Sequence, residues 1–388
     1  YIPGSVGASW FYQKFGCRNG VVVAGLFNCL SAWVRCLGLF DKTNSGFWFL
    51  LLGQVIGACV QPFFTNLPAR LTSIWFPVQE RDMATTIAIS LNPLGAALGT
   101  ILPSALVSED GGMGKLLFTE AIIVSTPFVA ALFFFSEEPQ HPPSRTAFDR
   151  HESRVYARDE TNNTNTGNSD TLREQLKSCM KDKNFMILTL GYGLSLGIFN
   201  ALATLINQIT RPAGYDDNDA SLFGASWILS GMVGAAVAGM VLDKYHKYNE
   251  TLKVCFLFGT LLTVILTLEI RPNNTIVLAL CWGILGFFVT PITVIAFSCG
   301  VECMYPVEEE ITTGILMSSG QIVGIVLTLL LGWLIDNQNQ YGESYIFEPS
   351  YLVLDSASVL ANVFIMFYHG LYKRFESDCE LYSSLLES

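Results

Sequence analysis

An all-α membrane protein made of two helical bundles is the fold class this sequence predicts, and three observations predict it. Eleven apolar stretches, most of them roughly 20 residues long, recur along the 388-residue chain, and about 20 apolar residues are what a helix needs to cross a bilayer. One hydrophilic segment, Ser136 to Lys183, divides them into five before and six after. The composition agrees: 51% of the residues are hydrophobic and 14% charged, where a soluble domain carries about 25% charged residues, and the mean hydropathy is +0.41. Gly20–Phe40, Lys115–Phe135 and Ile311–Ile335 are apolar nearly all round, whereas a helix on a soluble core shows a single apolar stripe.

Other classes fall away on the same evidence. The net charge is −11 and no basic patch with interleaved aromatics occurs, which excludes nucleic acid as a partner. The ten cysteines are scattered, mostly inside apolar spans (Cys29, Cys59, Cys255, Cys281, Cys299), without the spacing of a disulfide framework or a zinc site. They read as small hydrophobes. There is no nucleotide loop, nucleophile elbow or metal-ligand cluster, so neither an enzyme nor a bound cofactor or metal is expected. Of the four histidines, His141 and His151 fall in the hydrophilic segment, and His246 and His369 near the predicted cytoplasmic surface.

In order, the predicted spans are Tyr1–Phe11, Gly20–Phe40, Phe47–Leu67, Met83–Val107, Leu116–Phe135, Phe185–Ile209, Ala220–Leu242, Thr251–Ile270, Thr275–Gly300, Ile311–Ile335 and Tyr351–Tyr372. The first is too short to cross and reads as the second half of a helix. With two groups near six, the first whole helix and part of the second are expected to lie outside this sequence. Residues 1–135 then form an N-terminal bundle (helices two to six), 136–183 a cytoplasmic central loop, 184–372 a C-terminal bundle (helices seven to twelve) and 373–388 a cytoplasmic tail.

Lys and Arg in short connections set the orientation. Lys14 and Arg18, Arg70 and Arg81, Lys244, Lys247 and Lys253, and Lys373 and Arg374 mark the cytoplasmic side, against Lys42, Lys115, Arg211 and Arg271 opposite. Glu308-Glu309-Glu310 departs from this pattern but suits the N-terminus of the helix it precedes. The central segment is rich in Asn, Thr, Ser, Pro and charge, which predicts disorder. Its end, Asp170–Lys183, predicts an amphipathic helix at the membrane surface with Leu172, Leu176 and Met180 on one face. The sequons at Asn162, Asn249 and Asn273 are expected to stay unmodified, the first two on the cytoplasmic side and the third abutting the membrane.

A two-half carrier binds its solute near the bilayer midplane. A charge there costs about 3 kcal/mol, so an intramembrane charge marks function. Glu120, Asp243, Glu269, Glu302 and Asp336 all fall near span ends, and Arg35 lies close enough to one to snorkel. Midplane polarity comes from four neutral side chains, Gln61, Asn92, Asn200 and Gln321. The lack of a midplane acid favours facilitated movement over proton or sodium coupling. Gln61 lines the cavity or repairs the helix that Pro62 interrupts. Asn92-Pro93, with Gly95 and Gly99, marks a kinked, close-packed helix. Asn200 contacts substrate or bonds a neighbouring helix, with Asn207-Gln208 near its outer end. Gln321 stands among Ser318, Ser319, Gly320 and Gly324, which leave room for a ligand. Trp282 and Trp227 offer faces for cation–π attraction of about 2 kcal/mol when dry, or serve as packing.

Gly234 to Asp243-Lys244 repeats the pattern of Gly4 to Gln13-Lys14. Asp243 is expected against the positive N-terminus of a helix of the other half, acting with Arg18 at cytoplasmic gates. Gln13 stands where the first half would carry the acid.

Three sets of residues resemble one family. They are Leu52-Gly53-Gln54 with Gln61, Leu67-Pro68-Ala69-Arg70 and Ser73-Ile74-Trp75-Phe76; Tyr192-Gly193 with Gly197 through Gln208; and Val301-Glu302, Tyr305-Pro306 and Ser319 through Gly324. This wording resembles the feline leukaemia virus subgroup C receptor-related family of the major facilitator superfamily. The resemblance implies a twelve-helix carrier with cytoplasmic termini, and substrates of the choline, ethanolamine, heme or vitamin kind. In choline-transporting members it implies a site of Trp, Gln, Tyr and Gln on the first, fifth, seventh and eleventh helices. Gln321 matches the last; the fifth-helix position reads Pro93 after Asn92 and the seventh reads Asn200. The expectation is a facilitative carrier for a small organic solute, choline-like or heme, in the lipid bilayer. A receptor or scaffold that binds without transport is the alternative, and an intramembrane enzyme a more distant one. The plasma membrane is the expected location, with Tyr382-Ser383-Ser384-Leu385 fitting an endosomal or lysosomal sorting signal.

Overall fold

The computed structural model describes residues 1–39, 44–77, 80–106, 112–137, 139, 167–341 and 349–374. Expectations for Lys42, His141, His151, Asn162 and the Tyr382–Leu385 signal lie outside those residues. The helices are α1 (Ile2–Leu37), α2 (Asn44–Trp75), α3 (Arg81–Leu106), α4 (Met113–Phe134), α5 (Gly167–Lys181), α6 (Lys183–Thr210), α7 (Asp217–Tyr245), α8 (Tyr248–Glu269), α9 (Thr275–Val289), α10 (Pro291–Met304), α11 (Glu309–Tyr341) and α12 (Pro349–Met366). Among the described residues, nine helical stretches are long and apolar enough to cross a bilayer. The chain forms two compact units: Tyr1–Trp75 with Leu91–Glu174, and Phe76–Ser90 with Gln175–Ser388. The first turns of α3 therefore group with the second unit.

In the first unit, Ala8, Tyr12, Cys17 and Leu67 form one core between α1 and α2, and Ala32, Cys36, Leu117 and Ala121 another between α1 and α4. Arg35 pairs with Glu120 at 3.1 Å. Such a pair contributes about 0–1 kcal/mol in water, but either charge alone inside the bilayer costs about 3 kcal/mol. The Ser31 hydroxyl donates to the Gly53 carbonyl at 2.8 Å, so α1 and α2 meet through a polar contact where hydrocarbon offers no alternative partner.

The predicted polar connection after Phe11 is not a loop. Helix continues to Phe15, breaks at Gly16 (φ 84°, ψ 174°) and resumes at Cys17. The Glu137 carboxylate accepts the N–H groups of Cys17 and Arg18, each at 2.6 Å. It thereby replaces the helical acceptors that the break removes. A side chain at Gly16 would adopt the left-handed region and put its Cβ 2.5 Å from Glu137 Oε1.

Two more boundaries move, and one helix face turns. The predicted Thr275–Gly300 span is two helices, α9 and α10, because Pro291 brings no N–H to a continuous ladder. The predicted Tyr351–Tyr372 span leaves the helix after Met366, since polar contacts capture the residues beyond it. Tyr368 donates to Cys299 O at 3.3 Å, Asn249 Nδ2 to Gly370 O at 2.9 Å, and Arg374 pairs with Glu309 at 3.0 Å. The Asn249 sequon is thus engaged with backbone. In α5 the inward face runs through Cys179, fully buried, while Met180 is 58% exposed. Asp182, accepting from Phe185 N–H at 3.0 Å, caps α6 directly after α5 and sets that rotation. Burial pushes the Cys179 thiol up to about 12.

The second unit has the larger core, in which Phe223, Trp227, Leu278, Trp282, Leu285 and Leu331 pack together. α7 begins at a reciprocal cap in which Asp216 accepts the N–H groups of Asp219 and Asn218. Those bonds, Asp219's first, hold the Asp216 carboxyl below the usual carboxylate range.

Gly16→Ala should lower stability by about 1–2 kcal/mol, the cost of a left-handed L-residue. The thermal midpoint of the purified protein in detergent measures this, and a wild-type midpoint would show that the break tolerates a side chain.

Candidate functional site

Two helices of the second unit, α6 and α11, approach too closely for side chains at their contact points. A Cβ on Gly197 would lie 2.5 Å from Val323 Cγ1, and one on Gly320 would collide with Leu196. Seams of small residues are how helices pack where lipid removes the hydrophobic drive. The Ser319 hydroxyl lies 2.7 Å from Leu316 O and 3.1 Å from Thr189 O, tying the seam together. Asn200 lies against Gly324, its Nδ2 3.2 Å from where a Cβ would stand. Gln321 is one helical turn before Gly324. Both amides are half-buried, and among the described residues neither side chain has a hydrogen-bond partner.

In the first unit, Gln61 and Asn92 are exposed within their own unit and likewise without side-chain partners among the described residues. The Gln61 backbone carbonyl accepts from Thr65 at 3.2 Å, but the side chain repairs nothing beside Pro62. Gln54, two helical turns earlier on α2, is exposed on the same face.

Trp282 is fully buried, its ring 5.2 Å from that of Trp227, which in turn stands 4.8 Å from Phe199. Both indole N–H groups lack an acceptor among the described residues. Trp282 therefore sits in packed core. Beside Trp227 a cavity of about 30 Å³ is lined by Ser195, Phe199, Thr260, Thr263 and Ser358, room for a water or two.

The end of α7 meets the start of α3. Asp243 Oδ1 and Oδ2 accept the N–H groups of Asp82 and Met83, both at 3.0 Å. A carboxylate on two free N–H groups at a helix N-terminus satisfies orphan donors and meets the positive end of the dipole. Gly239, one turn earlier, admits α3, since a Cβ there would lie 2.6 Å from Thr86 Oγ1. Asp82 in turn accepts from Tyr248 at 2.9 Å and Ser298 at 2.7 Å, so α3, α7, α8 and α10 join through two carboxylates. The register of Gln13-Lys14-Phe15-Gly16 returns in Asp243-Lys244-Tyr245-His246, and His246 takes the left-handed conformation (φ 50°) where Gly16 also has a positive φ in the first unit. Arg18 is exposed, and it is its backbone N–H that engages Glu137.

Glu137, Asp82, Tyr248 and Ser298 escaped the sequence reading. An acid closing an apolar run and an acid in the first turn of a helix were the signals available for the first two. A further omission is a correction. The sequence places no acid at the midplane, and Asp355 is not among the acids read near span ends, yet Asp355 is the seventh residue of the 18-residue α12.

Asp243→Ala should cost about 1 kcal/mol through loss of the cap, with Asp243→Asn, which keeps an acceptor oxygen, costing less. Thermal midpoints in detergent would check this; no loss in the alanine variant would mean that the cap contributes nothing.

The sequence model of the Major Facilitator Superfamily matches residues 1–304. The choline/ethanolamine transporter FLVCR2 of Rattus norvegicus is 32% identical over 368 residues, covering 92% of this chain and 64% of its own length. FLVCR1 of Felis catus is 30% identical over 86% of this chain and 58% of its own length. Solute carrier family 49 member A3 of Xenopus tropicalis is 29% identical over 96% of this chain and 77% of its own length. The chain thus spans less than two thirds of the rat and cat proteins. Among solved structures, the superfamily transporter FucP in its outward conformation aligns with a TM-score of 0.72 at 12% identity, over 95% of this chain and 87% of that one. The human organic anion transporter MFSD10 aligns at 0.65 and 14% identity, over 94% of this chain and 80% of that one. With nine helical stretches among the described residues long and apolar enough to cross a bilayer, the chain is a multi-pass membrane protein belonging to the major facilitator superfamily, in the branch of the feline leukaemia virus subgroup C receptor-related proteins.

Proposed function

We propose that the chain acts as a carrier that moves a small organic amine of the choline or ethanolamine kind across the plasma membrane by alternating access. The observation that supports this is the set of four carboxamides, Gln61, Asn92, Asn200 and Gln321, on membrane helices and without partners among the described residues. A polar group left unbonded in hydrocarbon costs several kcal/mol. Such groups persist where water or a solute completes them. The relatives' names, choline/ethanolamine transporters, supply the substrate class.

Neutral amides suit a solute with one charge and a hydroxyl, their oxygens toward the ammonium and their N–H groups toward the hydroxyl. Heme suits them less. Its two carboxylates need cations, and Arg35, inside a span, is already paired with Glu120. Asn200 offers an amide dipole where an aromatic face would hold a quaternary ammonium by cation–π attraction, so selectivity shifts toward amines that donate hydrogen bonds. Asp243 and Asp82 serve conformational gating at the helix ends. Movement is facilitative, and no bond is made or broken, so the chain is not an enzyme.

Uptake of labelled choline and ethanolamine by cells expressing the full-length protein tests the reading. Saturable uptake, reduced at least tenfold in Gln321→Ala at equal surface expression, is the expected result; a tenfold change corresponds to about 1.4 kcal/mol of lost solute contact. Binding without flux would favour a receptor, and unchanged uptake in Gln321→Ala would remove that residue from the site.

A further inference from the structure

Asp355 is a carboxyl inside a membrane span, on a seam that the proposed solute site does not use. It is half-buried on α12 against α8, where Thr267 meets Asp355 and Thr260 meets Ser358. The Thr260 hydroxyl donates to Ser358 O at 3.2 Å, and Ser358 donates to the Asp355 carbonyl at 2.9 Å. The Thr267 hydroxyl oxygen stands 2.8 Å from Val264 O and 3.0 Å from Asp355 Oδ2. The other carboxyl oxygen, Oδ1, is buried with no partner among the described residues.

The count of hydrogens is informative. Val264 O and an ionised Asp355 Oδ2 are both acceptors, and the Thr267 hydroxyl has one hydrogen to give. An ionised carboxylate would then hold half of a shared bond on one oxygen and nothing on the other. That is a poor position for a charge in hydrocarbon, where every polar group must be completed by the protein. With a proton on Oδ2 the same geometry is complete. Asp355 donates to Thr267 Oγ1, Thr267 donates to Val264 O, and Oδ1 is left as a neutral carbonyl oxygen.

No neighbouring charge offers another solution. The helices packed on α12 are α6, α8 and α11. Their charged side chains are Lys183 on α6; Glu250, Lys253 and Glu269 on α8; and Glu309, Glu310 and Asp336 on α11. Arg211 and Arg271 lie in the connections at the Thr267 end. Among the described residues none of these forms an ion pair with Asp355.

We propose that Asp355 is a proton-binding site inside the membrane, with the proton held between Asp355 Oδ2 and Thr267 Oγ1 on the α8–α12 seam. The ligand is the proton itself. Binding it satisfies the seam, and releasing it leaves a charge that the seam cannot bond, so the contact between α8 and α12 becomes dependent on pH.

Infrared spectroscopy of the full-length protein in lipid nanodiscs tests this directly, because a protonated carboxylic acid has its own carbonyl stretch and a carboxylate does not. The wild type at neutral pH is expected to show such a band, absent in Asp355→Asn, shifted in Thr267→Val, and fading as the pH is raised. The thermal midpoint of the wild type should fall over the same alkaline range, while that of Asp355→Asn, which cannot ionise, should not. Identical spectra for wild type and Asp355→Asn would overturn the proposal. Should Asp355→Asn fail to fold, an unshifted band in Thr267→Val, or a wild-type band unchanged by alkali, would overturn it equally. None of these readouts depends on transport.

Discussion

Hydrocarbon offers no hydrogen bonds, and nearly every feature of this molecule reflects that one constraint. A polar group at bilayer depth finds its partner in the protein or stays costly. The hydroxyls of Thr126, Thr189 and Thr263 each donate to the carbonyl four residues earlier, at 2.8 to 2.9 Å. Ser31 turns to a backbone carbonyl on the next helix, and Arg35 turns to Glu120. Where helix ends meet, a carboxylate from elsewhere in the chain supplies the missing acceptor: Glu137 at the Gly16 break and Asp243 at the start of α3. Glycines at Gly197 and Gly320 keep their helices near enough for contacts such as that of Ser319 to reach.

Against that background the unsatisfied groups carry the information. Many polar side chains in the spans are completed locally, whereas among the described residues Gln61, Asn92, Asn200 and Gln321 have no side-chain partner, nor do Gln54 and the Oδ1 atoms of Asn362 and Asp355. The indole N–H groups of Trp227 and Trp282 also lack acceptors among the described residues, but these rings are sealed in the core. Leaving a buried donor unbonded costs about 1–3 kcal/mol, which the packing of two large aromatic faces offsets. The distinction between the two cases is access. An open amide is available to a solute, and a sealed indole is not.

The repeat within the chain shows one device used twice with different chemistry. Gln13-Lys14-Phe15-Gly16 and Asp243-Lys244-Tyr245-His246 end their helices in the same register with a positive-φ residue. The second copy keeps the acid and directs it to the N–H groups of α3. The first copy has Gln13, and a carboxylate from the far end of its own unit, Glu137, caps the helix that resumes beyond the break. A positive helix end attracts an acid in both cases, from a different place in the chain.

Much of this was legible in the sequence. Hydropathy and the segment from Ser136 to Lys183 announced spans in two groups, because solubility in lipid is a property of each stretch by itself. The wording around Gly197, Asn200 and Gln321 announced the family. The spacing of Asp243 in its repeat pointed to a helix N-terminus. What the sequence left undecided was who partners whom. Glu137 reaches across some 120 positions to Cys17 and Arg18, and Asp243 across some 160 to Met83. The span after Tyr351 ends early because Tyr368 and Arg374 find Cys299 and Glu309. Asp355 reads as an ordinary residue near the start of a span until Thr267 is seen to face it. Apolar character is written locally and can be summed along the chain; a hydrogen bond needs two groups brought to within about 3 Å, and only the folded chain brings them there.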